Sequence, residues 1–370
     1  MGVKGLCAFF KKKIPQVFHE IPLEMFKKEF IAIDASVFLY KYISNDNRLK
    51  GNWVDMFLEL IHHLRNLEIR PIFVFDGKAP IEKTITKKKR SSQRKKIQDR
   101  INFIENIIEK LDEKKILKSF EEHEIEELIK ILKTDKEEIE TWTYYILMDQ
   151  LQKVYFKWKS QCIYVTSKHV EILKKLLNYI GARWIQAPDE AERCCAWLCK
   201  RGYVCGVATS DTDILAYECP IFIRNLSKDG YMVEVICYND ILIELDWYPK
   251  QFLDFCIMCG TDYNDNIPKI GVMKSYNLID KYLQIEDIPK KVANTEELNY
   301  KRSQELFQID DLDSYFENKI ILQKPMINKF ELDKLLNYVN SSYPIHEFIY
   351  ASDIQIDFEV YEYEEESDDQ

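Results

Sequence analysis

Phe30-Ile-Ala-Ile-Asp34 is a short apolar run that ends on a carboxylate. A second run of the same kind, Pro71-Ile-Phe-Val-Phe75, is followed by Asp76-Gly77. Continuous β-branched and aromatic runs of this length, bounded by turn residues, are typical of buried strands in a parallel sheet. The same criterion predicts three further strands, at 162–166, 182–185 and 204–208.

Helical patterns separate these runs, with apolar residues at helical spacing in 54–67 and again in 169–180. The alternation of strand and helix predicts an α/β fold, with a parallel-rich central sheet flanked by helices on both faces. Open sheets of this kind bind ligands beyond the carboxyl ends of their strands. We therefore expect the functional residues at that edge.

One long interruption follows the second strand. From residue 83 to 158 the sequence has no strand signal and only charged helical patterns. A connection of this length is too long for a simple loop, so it predicts a helical subdomain near the strand ends. After residue 247 the pattern is helical again, and 267–274 is typical of a tight turn that opens a helix.

The distribution of charge is more informative than the formal net charge of −10. Residues 357–369 hold eight acids and no base, so we expect an acidic, disordered tail. Residues 83–100 instead hold nine bases and one acid. This segment favours local binding of a polyanion, while a solvated helix face or a nuclear import signal is the alternative.

The sequence predicts a soluble intracellular protein, nuclear in a eukaryote, with no membrane partner. No apolar run approaches the roughly 18 residues of a membrane helix, and the first residues do not have the order of a signal peptide. Ten cysteines are then expected to stay reduced. Cys256-Ile-Met-Cys259 has the spacing of half a zinc site, but packed thiols are the preferred interpretation because no second pair is evident.

Seven acidic residues follow predicted strands or turns. Each alone fits an ordinary role as a helix cap or turn residue. Together they would repel one another unless cations neutralised them, and an all-oxygen set favours Mg²⁺, with Mn²⁺ as a substitute. So many carboxylates predict two ions about 3.5–4 Å apart, an arrangement typical of phosphodiester cleavage. The seven are Asp34, Asp76, Glu190, Glu192, Asp211, Asp213 and Asp262.

Six short motifs carry a family resemblance over residues 1 to about 280. They are Met1-Gly-Val-Lys-Gly-Leu6, Ala32-Ile-Asp-Ala-Ser36, Val74-Phe-Asp-Gly-Lys-Ala-Pro80, Ala187-Pro-Asp-Glu-Ala-Glu192, Ala208-Thr-Ser-Asp-Thr-Asp213 and Cys259-Gly-Thr-Asp-Tyr263. In content and order the set resembles the flap endonuclease/XPG family of structure-specific 5′ nucleases. The resemblance implies a PIN-like 5′-nuclease fold with a helical arch and a helix-two-turn-helix DNA-binding module.

The resemblance also implies roles by position. The acids that match one metal site are Asp34, Asp76, Glu190 and Glu192, and those that match the other are Asp211, Asp213 and Asp262. Lys83 and Arg90 match the catalytic arch cations that hold the scissile phosphate, and Arg94 extends their helix face. Other matching DNA contacts are Gly2, Tyr40, Ile270, Gly271 and Lys274, the last three with a possible monovalent cation.

The chain departs from the family pattern at several places. Lys269 and Val272-Met273 replace an expected glycine and proline beside the duplex-binding turn, and Ser210 stands where many members have an acid. The tail lacks a sliding-clamp motif of the Gln-x-x-Leu-x-x-Phe-Phe kind, since Gln355-Ile-Asp-Phe358 is followed by Tyr361-Glu362. The missing motif therefore disfavours binding to a sliding clamp, and we expect the chain to be a monomer.

The expected division of the chain follows from these patterns. It comprises a nuclease region (1–82), the helical arch (83–158), a second nuclease region (159–246), the helix-two-turn-helix segment (247–285), a C-terminal helical region (286–356) and the tail (357–370).

The expected function is two-metal hydrolysis of DNA at flaps, nicks, gaps or junctions, as an endonuclease and 5′-3′ exonuclease in replication, repair or recombination. Four alternatives stay open. Two keep the same core, as a junction-resolving enzyme or as a pure exonuclease. The other two are a catalytically inactive nucleic-acid-binding protein and a metal-dependent ribonuclease.

Overall fold

A single mixed sheet of seven strands forms the centre of the computed structural model, which describes residues 2–49, 52–111, 120–159, 161–162, 164–316 and 327–345. The strands are β1 (His19–Pro22), β2 (Phe30–Asp34), β3 (Arg70–Phe75), β4 (Arg183–Gln186), β5 (Gly206–Ala208), β6 (Ile221–Arg224) and β7 (Met232–Cys237). Their order is β1-β7-β6-β5-β2-β3-β4, and all neighbours are parallel except β7, which is antiparallel to β6 and to β1. The predicted α/β fold with a parallel-rich sheet is confirmed.

Helices cover the sheet and extend beyond it. They are α1 (Leu6–Lys13), α2 (Ala35–Leu49), α3 (Trp53–Asn66), α4 (Lys83–Lys110), α5 (Glu122–Leu132), α6 (Lys136–Thr141), α7 (Tyr144–Lys159), α8 (Ser167–Tyr179), α9 (Ala191–Lys200), α10 (Asp213–Ala216), α11 (Tyr238–Leu245), α12 (Pro249–Cys259), α13 (Val272–Tyr282), α14 (Tyr300–Leu306), α15 (Asp311–Phe316) and α16 (Lys329–Tyr338). Within the described ranges, no helix has the length and apolar character needed to cross a membrane.

The hydrophobic core has two layers because successive side chains of a strand point to opposite faces. In β2, Ile31 and Ile33 pack into one layer with residues of α2, α3 and α8. Ala32, between them, packs into the other layer with residues of α9 and α12. In α12, Cys256 and Cys259 are buried free thiols, as the packed-thiol interpretation predicts.

The predicted strand at 162–166 is wrong. Residues 164–166 are irregular, and Thr166 instead caps α8 in a reciprocal pair with His169. The Sγ of Cys162 faces α4, 3.3 Å from the Oε1 of Gln98. This β-branched run therefore packs beside α4 and starts a helix, because a capping box satisfies the first backbone N–H groups of α8.

Three strands were not predicted from the sequence, namely β1, β6 and β7. β6 and β7 form a hairpin, and β1 adds to its outer side with His19 opposite Val235. Only part of β6 and of β7 is buried, and β1 has no buried residue. Their apolar runs are consequently too short and too mixed to stand out in the sequence.

Four helices, α4 to α7, occupy the stretch for which the sequence predicts a helical arch, and its described residues contain no strand. They have a small hydrophobic core of their own, which includes Ile104, Ile107, Leu128, Leu147 and Leu151. The arch helices therefore pack mainly on one another, while the first turns of α4 lie against the edge of the sheet where the acids are found.

Candidate active site

The sheet topology brings six of the seven acids to one edge. Asp34 is the last residue of β2, and Asp76 directly follows β3. The other four come just after β4 and β5, and are Glu190, Glu192, Asp211 and Asp213. These four strands are parallel neighbours, so their carboxyl ends share an edge. The seventh acid, Asp262, follows α12 and joins the group through its backbone N–H, which donates to Oδ2 of Asp213 at 3.3 Å.

The carboxylate of Asp34 is held on both sides. Its Oδ1 accepts a hydrogen bond from the backbone N–H of Val37 (3.1 Å), and its Oδ2 accepts one from the Thr209 hydroxyl (3.2 Å). Asp76 accepts hydrogen bonds from the Ser36 hydroxyl and from the backbone N–H of Ala191 (2.9 Å). Asp34 thus also fills the helix-capping role that the sequence allowed, while remaining part of the acidic group.

A chain of short contacts links the acids that follow β5 and α12. The backbone N–H of Asp213 donates to Oδ1 of Asp211 at 3.1 Å. All three carboxylates of this second group, Asp211, Asp213 and Asp262, are buried. The Oδ1 atom of Asp213 is buried without a hydrogen-bond partner. A buried, unpartnered carboxylate oxygen is costly unless a cation or a donor meets it.

Burial and mutual repulsion perturb the acids. Burial, reinforced by the neighbouring Asp76, raises the pKa of Asp34 to about 7. Burial, reinforced by Asp34, raises the pKa of Glu192 well above its usual range, and burial with Asp211 does the same for Asp213. Burial also raises the pKa of Glu190 and Asp211. Such a group of carboxylates requires compensating positive charge to stay ionised at neutral pH.

Two cations of α4 supply part of that charge. The Nζ of Lys83 lies 2.6 Å from Oε2 of Glu190 and 3.2 Å from Oδ2 of Asp262, and Nη2 of Arg90 lies 2.5 Å from Oδ1 of Asp262. Burial disfavours the charge on Lys83, but the carboxylates of Glu192, Glu190 and Asp262 outweigh it and raise the pKa of the ammonium group. Lys83 is therefore a fixed positive charge inside the acidic group.

Arg94, one turn further along α4, does not join these contacts. Its guanidinium lies over the ring of Tyr164, 5.4 Å from the ring centroid. Since a guanidinium interacts favourably with an aromatic face, this pair fixes the side chain beside the site rather than among the acids.

The donor set fits divalent cations that prefer oxygen. The site residues offer carboxylate oxygens, including the unpartnered Oδ1 of Asp213, and no histidine or cysteine is among them. Mg²⁺ and Mn²⁺ prefer such ligands. Among the described residues, no three of the seven acids offer oxygens within 4.8 Å of one another. Their like charges repel, and Lys83 lies between Glu190 and Asp262, so cation binding would require these side chains to close in.

Sequence reasoning missed several supporting residues. Tyr263 donates a hydrogen bond from its hydroxyl to Oε2 of Glu190 at 3.2 Å, and a further hydrogen bond joins its hydroxyl to that of Tyr217. Thr86 of α4 donates to the backbone carbonyl of Asp262 at 2.9 Å. Tyr263, Ser36 and Thr209 each lie within two residues of an acid of a family motif, and this proximity was the available signal.

The remaining predicted DNA contacts lie in different places. A Cβ on Gly2 would be 2.1 Å from Oδ1 of Asp211, so Gly2 adjoins the acids. Tyr40 is exposed on α2. Ile270 and Gly271 lie at the turn before α13, with Gly271 as the N-cap of that helix. Lys274 lies in the first turn of α13. Lys269, at the position of the expected glycine, still has the left-handed conformation (φ +67°).

The comparisons with known proteins indicate one family. Residues 1–97 match the XPG N-terminal domain, and residues 181–262 match the XPG I-region. A probable RAD2-like endonuclease, 369L of Invertebrate iridescent virus 6, is 33% identical over 78% of this chain and 74% of its own length. Flap endonuclease 1 of Babesia bovis is 32% identical over 83% of this chain, which spans 41% of that protein's length.

Among solved structures, the catalytic core of Rad2 in complex with a DNA substrate is similar in fold. Its TM-score is 0.53 at 22% identity, over 90% of this chain and 79% of that one. Together with the sequence matches, the fold and its acidic edge define the class of protein. The chain belongs to the flap endonuclease/XPG family of structure-specific nucleases, which are hydrolases that act on DNA.

Proposed function

We propose that this chain is a Mg²⁺-dependent flap endonuclease and 5′-3′ exonuclease that hydrolyses phosphodiester bonds in DNA during replication, repair or recombination. The observation that carries the proposal is the placement of Lys83 and Arg90 within ion-pair distance of Glu190 and Asp262, at the edge where all the acids meet. A scissile phosphate at this edge would meet both carboxylates and fixed cations. That combination suits phosphoryl chemistry, because carboxylates can hold metal ions while fixed cations meet the phosphate oxygens.

The acids divide into two groups that suit two cations. Asp34, Asp76, Glu190 and Glu192 would hold one, and Asp211, Asp213 and Asp262 would hold the other. When bound, the two ions supply the Lewis acidity that activates water and stabilises the leaving oxygen. The raised pKa of Asp34 and Glu192 fits this assignment, because such acids gain most from a nearby cation.

The cations of α4 would act on the substrate itself. With divalent ions on the acids, the ammonium of Lys83 and the guanidinium of Arg90 would be released towards the phosphate oxygens. Negative charge on these oxygens grows in the transition state, so fixed donors there stabilise it more than the ground state. Both residues are therefore proposed as catalytic.

DNA would be held on two further surfaces. Tyr40 is exposed and would stack with a base next to the cut, and Arg94, held beside Tyr164, would contact the DNA backbone. Gly271 and Lys274 would grip duplex phosphate, because Gly271 gives α13 an N-terminus without a side-chain cap, and free N–H groups there attract anions. A monovalent cation at this turn, a monomeric state and independence from a sliding clamp remain predictions.

Cleavage assays would test the proposal. Labelled flap, nicked, gapped and four-way junction DNA would be incubated with the full chain and Mg²⁺ or Mn²⁺, and each cut mapped. We expect cutting near the base of a 5′ flap. Dominant cutting of the four-way substrate, or removal of nucleotides only from a free 5′ end, would favour the junction-resolving or purely exonucleolytic alternative.

Matched variants separate metal chemistry from DNA binding. Asp76→Ala and Asp211→Ala should abolish cleavage and leave DNA affinity nearly unchanged or higher, because they remove negative charge beside a phosphate. Asp333→Ala, at an exposed position of α16, is the control and should cleave normally. Full activity in Asp76→Ala or Asp211→Ala would refute the two-metal assignment, and absence of cleavage with every substrate would favour a binding protein.

A further inference from the structure

A second group of metal-binding side chains lies away from the acids. His19, Cys237 and Asp240 each offer one ligand atom, and these three atoms lie within 4.8 Å of one another. The Nε2 of His19 is 2.8 Å from Oδ2 of Asp240. Among the described residues, no other three His, Cys, Asp or Glu side chains bring their ligand atoms this close together. No step of the proposed nuclease function uses it.

Three different elements build this group. His19 begins β1, opposite Val235 of β7, and Cys237 ends β7 two residues further on. Because side chains alternate along a strand, His19 and Cys237 lie diagonally on the same face of the sheet. Asp240 is three residues beyond Cys237, in the first turn of α11, and therefore folds back over the end of the strand.

We propose that His19, Cys237 and Asp240 bind one zinc-class divalent cation, through Nε2, Sγ and a carboxylate oxygen, with water as the fourth ligand. A set of nitrogen, sulfur and oxygen donors suits Zn²⁺ or Co²⁺ and not Mg²⁺, which prefers oxygen alone. Three protein ligands and water make a common tetrahedral zinc centre. On binding, the Cys237 thiol would lose its proton to solvent, and the thiolate would bind the cation.

The pair of His19 and Asp240 needs only a small adjustment, and all three ligand atoms lie within 4.8 Å of one another. Tetrahedral ligands about 2.0–2.3 Å from zinc lie about 3.3–3.6 Å apart. His19 and Asp240 would therefore separate by about half an ångström. Their side chains are 43% and 38% exposed, so both can move and an ion can enter from solvent. Burial and the neighbouring Asp240 raise the pKa of Cys237, which a bound cation would reverse.

The group of His19, Cys237 and Asp240 lies at the opposite edge of the sheet from the seven acids. Cys237 pairs with Ile221, the first residue of β6, so it lies at the amino edge of the parallel strands. The catalytic acids lie at the opposite, carboxyl edge. A cation here would join β1 to the end of β7 and the start of α11. Its effect would be to stabilise an edge strand that pairs with β7 alone among the described strands.

Titration of the full chain with Co²⁺, at saturating Mg²⁺, would test the inference. Mg²⁺ would occupy the carboxylate sites, and only a thiolate ligand gives the sulfur-to-cobalt charge-transfer band. We expect one equivalent of Co²⁺ with this band, displaced by Zn²⁺. Cys237→Ser should abolish the band, and His19→Gln should weaken binding by at least about tenfold. Cys205→Ser, a half-buried cysteine outside the group, should retain it.

A second measurement keeps the test independent of folding defects. Zn²⁺ should raise the thermal midpoint of the wild-type chain and of Cys205→Ser, and should raise that of His19→Gln, whose altered side chain is exposed, much less. Mg²⁺-dependent cleavage by His19→Gln should match wild type and so report a correct fold. Absence of a charge-transfer band in the wild type, or its persistence in Cys237→Ser, would overturn the proposal.

Discussion

Gly2 and Asp211 lie so close that Gly2 has no room for a side chain. A Cβ on Gly2 would be 2.1 Å from Oδ1 of Asp211 and 2.6 Å from the backbone nitrogen of Asp213. Gly2 also has φ +84°, a left-handed conformation that favours glycine. The first residues of the chain are therefore fitted against the acids that follow β5.

Gly2→Ala should for this reason lower the cleavage rate by about tenfold or more, since either Asp211 or the N-terminal segment must shift. The measurement is single-turnover cleavage of a flap substrate. Gly202→Ala is the matched control, because Gly202 has φ +76° but a Cβ there would meet nothing within 4 Å. Equal losses in both variants would assign the effect to backbone strain alone.

Lys83→Ala and Arg90→Ala should each lower the single-turnover rate on the order of 10²-fold, with a much smaller change in DNA affinity. The reason is that both cations lie among the acids rather than on the outer face of α4. Lys88→Ala, at an exposed position of the same helix, is the control and should affect affinity only. Loss of affinity with an unchanged rate for the bound complex would make Lys83 and Arg90 ordinary parts of a basic surface.

Tyr263→Phe should lower the cleavage rate by about tenfold, which corresponds to about 1.4 kcal/mol, the scale of a hydrogen bond to a charged group. Burial and the nearby Glu190 raise the pKa of Tyr263 well above its usual range, so its hydroxyl stays protonated and can donate to Glu190. Because Tyr263 acts through Glu190, we expect a shifted dependence on Mg²⁺ concentration as well. Tyr231→Phe, at an exposed tyrosine, is the control. An unchanged Mg²⁺ dependence would limit Tyr263 to a packing role.

Asp254 should make stability depend on pH. It is fully buried in α12 and accepts hydrogen bonds from the backbone N–H of Ile285 (3.0 Å) and from Gln304 (2.6 Å). Burial raises the pKa of Asp254 to about 6, above the roughly 3.9 of an unfolded chain. The folded state therefore binds the proton more tightly, and this stabilisation is lost as pH rises through about 6.

Asp254→Asn removes this titration and preserves the size of the side chain. Between pH 5 and 8, wild type should lose on the order of 1 kcal/mol more unfolding free energy than the variant. Denaturant unfolding of both proteins at the two pH values gives this difference, in which the contributions of the active-site acids cancel. Parallel pH profiles would show that Asp254 has an ordinary pKa in the folded state.

Deletion of residues 361–370 should leave cleavage intact and raise DNA affinity at low salt. These residues lie outside the described part of the chain, and the prediction rests on their six acids, out of the eight between 357 and 369. The effect should fade as ionic strength approaches 0.15 M, where the Debye length is about 8 Å. Binding and cleavage at two salt concentrations measure it. If the truncated protein lost its cleavage activity at both salt concentrations, the tail would be a structural element or a substrate contact.

Sequence patterns were enough to predict the central strands and to place most of the acids at the carboxyl ends of strands. Runs such as Phe30-Ile-Ala-Ile-Asp34 report burial on both faces, and a carboxylate that ends such a run must lie at the edge of the sheet. The strand predicted at 162–166 was wrong, because a β-branched run that ends on the capping residue Thr166 has the composition of a strand but starts a helix. Sequence pattern did not reveal β1, β6 or β7, because their apolar runs are short and mixed with polar residues, and β1 also pairs with a strand that is distant in the sequence.

Tertiary structure alone decided which side chains meet. Lys83 is 107 residues from Glu190 in the sequence, yet their charged atoms are 2.6 Å apart, and Tyr263 reaches Glu190 over 73 residues. His19 and Asp240, separated by 221 residues, come together only because β1 adds to the outer side of β7. Periodicity records which face of an element is buried, whereas contacts of this kind depend on strand order and on the path of the connections, which no local pattern encodes.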